Sequence, residues 1–183
     1  MRYEEDIYVG YRYFETFAPD KVMFPFGYGL SYTKFHIQAG MSYDGQKITV
    51  SAKVKNIGER YAGKEVVQVY VQAPQGKLGK AKRSLVGFAK TGLLIPGQEE
   101  TVTIEIPNYY LASYDDSGVT GHKSCYVLEE GAYDVYVGSS VRDLKLLSMQ
   151  QTKGNEKGSL WIEDLEVIHR YSEACAPVKP LKD

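Results

Sequence analysis

Cysteine is almost missing: Cys125 and Cys175 are the only two in 183 residues, far apart and with no Cys-x-x-Cys pair. That excludes a disulfide framework and a thiolate zinc site. One bridge or two free thiols remain, and two free thiols in a reducing compartment is the expected state. Long apolar runs are missing too, so no segment approaches the ~20 residues that cross a bilayer as a helix. No charge excess exists, since 22 Lys and Arg stand against 23 Asp and Glu for a net charge of −1. A nucleic-acid binder needs a basic face to neutralise phosphates, so that class is excluded. The opening residues Met1 to Asp6 are acidic where a secretory leader is basic and then apolar, and the expected location is cytoplasmic. In abundance are 16 Tyr and 18 Gly, which with frequent Val and Thr point to strands joined by tight turns.

Strict alternation of apolar and polar residues marks the strands. Ile48, Val50, Ala52 and Val54 alternate with polar residues up to the turn Asn56-Ile57-Gly58. Val67, Val69 and Val71 alternate with Gln68, Tyr70 and Gln72 before Pro74. Ser84 to Ala89 is a shorter strand, Val102, Ile104 and Ile106 follow the turn Pro96-Gly97, and Tyr133, Val135 and Val137 lie between Gly131 and Gly138. Six or seven short strands in about 100 residues predict an immunoglobulin-like β-sandwich. The ends read differently. Residues 7–14, aromatic on both faces, predict a buried strand without a partner nearby. Residues 24–32, broken by Pro25, Gly27 and Gly29, predict an extended, packed connector. In the tail, residues 150–158 predict a loop and Leu160 to Ile162 a short strand. Asp164 would cap a short C-terminal helix carrying Leu165, Ile168, Tyr171 and Cys175, ended by Pro177 and Pro180.

No set of residues has the spacing of a catalytic or metal site. His36, His122 and His169 stand alone, and no Gly-x-Ser-x-Gly turn occurs. Gly27-Tyr28-Gly29 lacks the following helix that a phosphate loop requires. The adjacent carboxylates Glu4-Glu5, Glu99-Glu100, Asp115-Asp116 and Glu129-Glu130 cannot converge on one substrate atom, because neighbours on a strand face opposite ways. All lie beside turns and are expected to be solvated. Lys77, Lys80, Lys82 and Arg83, among glycines between two strands, read as a mobile, solvated hairpin loop. The expectation is therefore no catalytic, cofactor-binding or metal-binding residue, and no cofactor.

The aromatic residues form two groups. Phe35, Phe88 and Tyr133 fall in strand runs and are expected in the core. Tyr8, Tyr11, Tyr13, Phe14, Phe24, Phe26, Tyr28 and Tyr32 crowd into 25 residues with few aliphatic partners. So dense an apolar patch is rarely left wet, and burial against another domain is expected over a sugar-stacking platform.

Val9-Gly10-Tyr11-Arg12-Tyr13-Phe14 and the run from Phe24-Pro25-Phe26-Gly27 to Phe35 resemble the C-terminal region of family 3 glycoside hydrolases of β-glucosidase type. The resemblance continues through Val54 to Gly58, Gly63 to Val71, Leu85 to Phe88, Leu94 to Gly97 and Gly131 to Ser140, covering residues 3–147 in order. The tail, with Glu173 to Pro177, is similar to the connector of members whose domain order is inverted, where a barrel follows. The resemblance implies a fibronectin type III-like sandwich beside an (α/β)8 barrel and an α/β sandwich domain. In such enzymes a barrel Asp and a sandwich-domain Glu perform retaining hydrolysis. No segment here matches either motif, so no catalytic residue carries over.

The domain organisation this implies is a terminal strand and connector of a missing α/β sandwich domain over 1–32. A fibronectin type III-like sandwich follows over 33–147, and 148–183 is a loop, short helix and linker toward a missing domain. The expected function is a non-catalytic, truncated portion of a β-glucosidase-type enzyme, bracing its catalytic domains through Tyr8, Tyr11, Arg12, Tyr13, Phe14, Phe24, Phe26, Tyr28 and Tyr32. The chain alone is expected to be inactive, without nucleic-acid or membrane partners. Two rival readings stand beside this. One is a free-standing carbohydrate-binding module stacking sugars on Tyr28, Tyr32, Tyr70 and Tyr136, and the other a split subunit that completes an active glycosidase with a separate chain. A bare strand over 7–14 would also pair between two copies, giving a homodimer.

Overall fold

The structure, a computed structural model, describes residues 6–148 and 159–171. Antiparallel strands in the alternating runs form two packed sheets. One has the order β1-β2-β5, from β1 (Phe35–Tyr43), β2 (Lys47–Asn56) and β5 (Glu99–Pro107). The other has the order β10-β8-β3-β4, from β3 (Val66–Gln72), β4 (Ser84–Lys90), β8 (Gly131–Gly138) and β10 (Leu160–Ile162), with β9 (Leu144–Leu146) also paired to β8. The inward set of each run meets the other: Ile48, Val50, Ala52, Val54, Val102, Ile104 and Ile106 face Val67, Val69, Val71, Tyr133, Val135 and Val137 in one core. A small third sheet at one end has the order β11-β7-β6, from β6 (Ser113–Asp115), β7 (Cys125–Leu128) and β11 (Glu166–Arg170). The predicted mainly-β sandwich is thus the fold.

Two expected elements differ. Residues 7–14 are not a strand: Gly10 turns the chain at φ +60°, and α1 (Tyr11–Phe17) follows. Aromatic residues on both faces do not by themselves make a strand. Here one flank of a short helix rests on the sandwich and the other faces outward. A strand edge that could pair between two copies is therefore absent from this segment. The C-terminal helix is likewise replaced, within residues 164–171, by β11. Leu165, Ile168 and Tyr171 do fit a helical period, but β-branched Val167 and Ile168 suit a strand and β7 offers an open edge. A bulge between Val167 and His169 adjusts the register. Cys175, Pro177, Pro180, the loop over 150–158 and the tail motif from Glu173 lie outside the described residues, as do Glu4 and Glu5.

Three side-chain expectations also change. Phe88, placed in the core by its strand run, is 67% exposed. It pairs in register with Gln68 and so belongs to the outer face of the sheet. Lys80 is buried rather than solvated, in an ion pair with Glu129 that pins its loop. Asp115 is also fully buried, accepting from Ser117, Gly118, Val119 and Thr120 within its own turn. A turn supplies enough N–H and O–H donors to replace water around a carboxylate, which adjacency to turns alone does not reveal. Cys125 is a buried free thiol.

Candidate functional site

In β3, Gln68, Tyr70 and Gln72 point away from the core and lie in register with Gly138, Tyr136 and Asp134 of β8. Alternation makes this the wet face. Yet Gln68 is buried and Tyr70 wholly so, because the N-terminal segment lies across them. The Tyr70 hydroxyl donates to Gln68 Oε1, Gln68 Nε2 donates to the Ser139 carbonyl at 2.8 Å, and burial pushes the Tyr70 phenol pKa well up.

Four fastenings hold that segment. The Tyr11 ring stacks on Phe26 at 4.9 Å and meets Tyr70 edge-on at 6.0 Å, while its hydroxyl accepts the Leu85 N–H at 2.8 Å. The buried Glu15 carboxylate accepts from Arg142 Nε at 2.8 Å, and Arg142 Nη2 donates to the Pro19 carbonyl at 2.6 Å. The Thr16 hydroxyl donates to the Arg12 carbonyl at 2.6 Å and accepts the Lys82 N–H at 2.9 Å. In the connector, the Phe26 carbonyl accepts the Val141 N–H at 3.0 Å. Gly27, at φ +86°, sits so close that a Cβ would lie 2.9 Å from Ser140 Cα.

The other side of the segment is bare. Tyr13 packs on Phe14 and Phe17, both at 5.5 Å, and Phe24 on Tyr28 at 5.0 Å. All five, together with Phe26, Leu30 and Tyr32, are exposed, Tyr32 at 91%. Of the nine predicted interface residues, Tyr11 faces this chain's own sandwich, and Tyr8 and Arg12 are half-buried. The other six are exposed, with Tyr13 beside Phe14, Phe24 beside Tyr28 and Tyr32 beside Tyr61. Of the four predicted sugar-stacking residues, Tyr70 is buried. Tyr136 is half-buried, with the Arg83 guanidinium 5.0 Å over its ring, so neither offers an open face. Tyr28 and Tyr32 do remain exposed.

A second aromatic cluster is invisible in the linear sequence. Tyr114, Tyr126 and His169 are register partners across β6, β7 and β11. Tyr109 lies 4.8 Å from Tyr126, and Tyr171 4.9 Å from His169. Phenol-to-phenol hydrogen bonds raise the pKa of Tyr109, through Tyr126, and of Tyr171, through Tyr109. This cluster clamps β11 to the domain. Its only sequence signal is the density of tyrosine, which a helical reading of residues 164–175 disperses. Among the described residues no three His, Cys, Asp or Glu side chains gather as metal ligands. Of the buried carboxylates, Asp115 and Glu129 are each held by several donors of this chain, and Glu15 by Arg142 Nε.

Comparison with known proteins agrees with this architecture. The fibronectin type III-like domain family matches residues 65–141. A β-glucosidase from Ruminococcus albus is 51% identical over 180 residues, covering 98% of this chain and 18% of that protein. The crystal structure of a β-glucosidase from Paenibacillus barengoltzii superposes with a TM-score of 0.86 at 50% identity, covering 93% of this chain and 18% of that one. A GH3 β-glucosidase from Bifidobacterium adolescentis gives a TM-score of 0.67 at 29% identity over 82% of this chain and 23% of that one. The chain thus spans about a fifth of the length of these relatives, and it belongs to the β-glucosidase-type family 3 glycoside hydrolases through its fibronectin type III-like region.

Proposed function

We propose that this chain is a non-catalytic brace for the catalytic domains of a β-glucosidase-type glycoside hydrolase. One observation carries the reading: the N-terminal segment is fastened to the sandwich by Tyr11, Glu15, Thr16 and Gly27 while it turns Tyr13, Phe14, Phe24, Tyr28 and Tyr32 outward. A segment rigid on one side and apolar on the other suits a partner that must be held at a fixed angle. Burial of each ring stabilises such a contact by about 2 kcal/mol. The catalytic domains are the proposed partner because the relatives are β-glucosidases several times longer than this chain.

The test uses a chimera in which this chain replaces the matching region of the Paenibacillus barengoltzii enzyme. Tyr13→Ala/Phe14→Ala/Phe24→Ala is expected to lower the Tm of the chimera and shorten its active half-life on an aryl β-glucoside. The chain alone is expected to leave that substrate intact. An unchanged chimera, or hydrolysis by the purified chain, refutes the brace.

A further inference from the structure

The N-terminal segment covers Gln68 and Tyr70 but stops short of the next register pair, Gln72 and Asp134. There it leaves an open cleft of about 590 Å³. One wall is aromatic: Tyr8 and Phe17 meet edge to face at 4.8 Å. Another part of the lining is polar, with Gln72 and Asp134 side by side on neighbouring strands and the exposed Lys82 near them. From this arrangement we infer that the cleft is a saccharide-binding site. It takes one or two pyranose rings, their C–H faces on Tyr8 and Phe17 and their hydroxyls on Gln72, Asp134 and Lys82.

The composition of the walls excludes other ligand classes. A phosphate or carboxylate ligand would face Asp134 with Lys82 to offset it, since the Lys80 ammonium is already paired with Glu129. An organic cation would face the Lys82 ammonium, while the Asp134 carboxylate is already engaged by Ser159. A lipid tail would set the Gln72 amide against hydrocarbon without a partner. Neutral polyhydroxylated rings satisfy both parts of the lining at once, since they carry apolar faces and an equator of donors and acceptors.

The walls are also fixed in advance. Ser159 Oγ donates to Asp134 Oδ1 and orients that carboxylate. Gln75 and Lys80 exchange two hydrogen bonds, Gln75 Nε2 to the Lys80 carbonyl at 3.1 Å and the Lys80 N–H to Gln75 Oε1 at 3.2 Å. The Lys80–Glu129 ion pair pins the same loop from below. On the other side, Thr16 ties α1 to Lys82. Binding here therefore needs little ordering of the protein. The site differs from the tyrosines expected to stack sugars, Tyr28, Tyr32, Tyr70 and Tyr136, none of which lines it.

The test is ¹⁵N-resolved NMR of the whole chain titrated with glucose and with cellobiose. Saturable shifts with Kd on the order of millimolar are expected at the Gln72 side-chain amide, the Lys82 backbone amide and the residues flanking Asp134. Phe17→Ala and Gln72→Ala should each weaken binding at least ~tenfold, whereas Tyr32→Ala should leave it unchanged. If either cleft variant loses its native spectrum, Asp134→Asn serves in its place. No saturable shift with either sugar up to saturation of the solution, or shifts centred on Tyr32 instead, overturns the proposal. The titration needs no catalytic domain, so its failure is distinct from failure of the brace.

Discussion

Removing the carboxylate of Glu129 should take away a large share of the stability of this domain. Glu129 closes the loop from Pro74 to Lys80: Oε1 accepts the Lys77 N–H at 2.6 Å, and Oε2 accepts the Leu78 N–H at 3.3 Å and the Lys80 ammonium. Both side chains of the ion pair are only 6% exposed. Burial alone would raise the carboxyl pKa, but the Lys80 ammonium and the two N–H groups outweigh it and hold it below the usual range. Glu129→Ala leaves an uncompensated ammonium and two orphaned N–H groups, a loss of about 3–5 kcal/mol. Against a typical domain stability of about 5–15 kcal/mol, that is a large share. Lys80→Met/Glu129→Leu removes both charges and should recover most of the loss, with about 1–3 kcal/mol remaining for the unpaired N–H groups. Urea unfolding followed by circular dichroism measures all three proteins. A depressed carboxyl pKa also fixes the sign of the pH dependence. The contribution is fully present above the unfolded carboxyl's pKa of about 4.3 and fades as pH falls through the lower folded value. The gap between parent and Glu129→Gln should therefore be constant above about pH 5 and narrow below about pH 4. A Glu129→Ala protein within about 1 kcal/mol of the parent, or a double variant no more stable than the single, refutes this account.

Three further outcomes follow from the same structure. The Asp115 carboxyl is pushed up by burial but pulled further down, to about 2, by donors from Thr120, Gly118 and Ser117. Asp115→Asn should thus cost on the order of 3 kcal/mol near neutrality, the loss shrinking only below about pH 4, as pH-resolved urea titrations would report. Gly27→Ala forces a left-handed φ costing about 1–2 kcal/mol and drives a Cβ into the Ser140 backbone. Limited proteolysis should then cut the connector sooner, and unchanged cleavage would count against the close packing. Tyr11→Phe keeps the ring but removes the acceptor for the Leu85 N–H. That amide should exchange faster with deuterium, and undiminished protection would show that the contact contributes nothing.

What the sequence made legible is what period alone determines. The runs around Val50, Val69, Ile104 and Val135 alternate strictly, so the strands and their inward residues are read from the period. Long-range pairing carries no such period. Lys80 and Glu129 lie on different loops, each beside turn residues, and nothing local distinguishes a solvated acid from one enclosed by backbone donors. The same holds for Gln72 and Asp134, which become neighbours only through the register of β3 and β8. Short end segments fail for another reason: α1 has seven residues and no side-chain cap, and β11 has five. At that length tertiary contacts decide the conformation, Tyr11 and Glu15 for the helix and the open edge of β7 for the strand.

The outer face of β3 shows how the two kinds of information combine. Its polar set, Gln68, Tyr70 and Gln72, reads as solvent-facing, yet the chain covers the first two and leaves the third beside a cleft. Covering Gln68 and Tyr70 requires that every polar atom there find a partner, which Ser139 and the Tyr70–Gln68 pair provide. It also requires an overlying segment that can approach the sheet closely, which Gly27 permits. These constraints fix the segment's inner side and leave its outer side free to be apolar. An outward aromatic surface on a segment free to swing would define no angle to a neighbouring domain. Fastened by Glu15 to Arg142 and by Tyr11 to Leu85, it defines one, so in the proposed brace the inward contacts matter as much as the exposed rings that meet the partner.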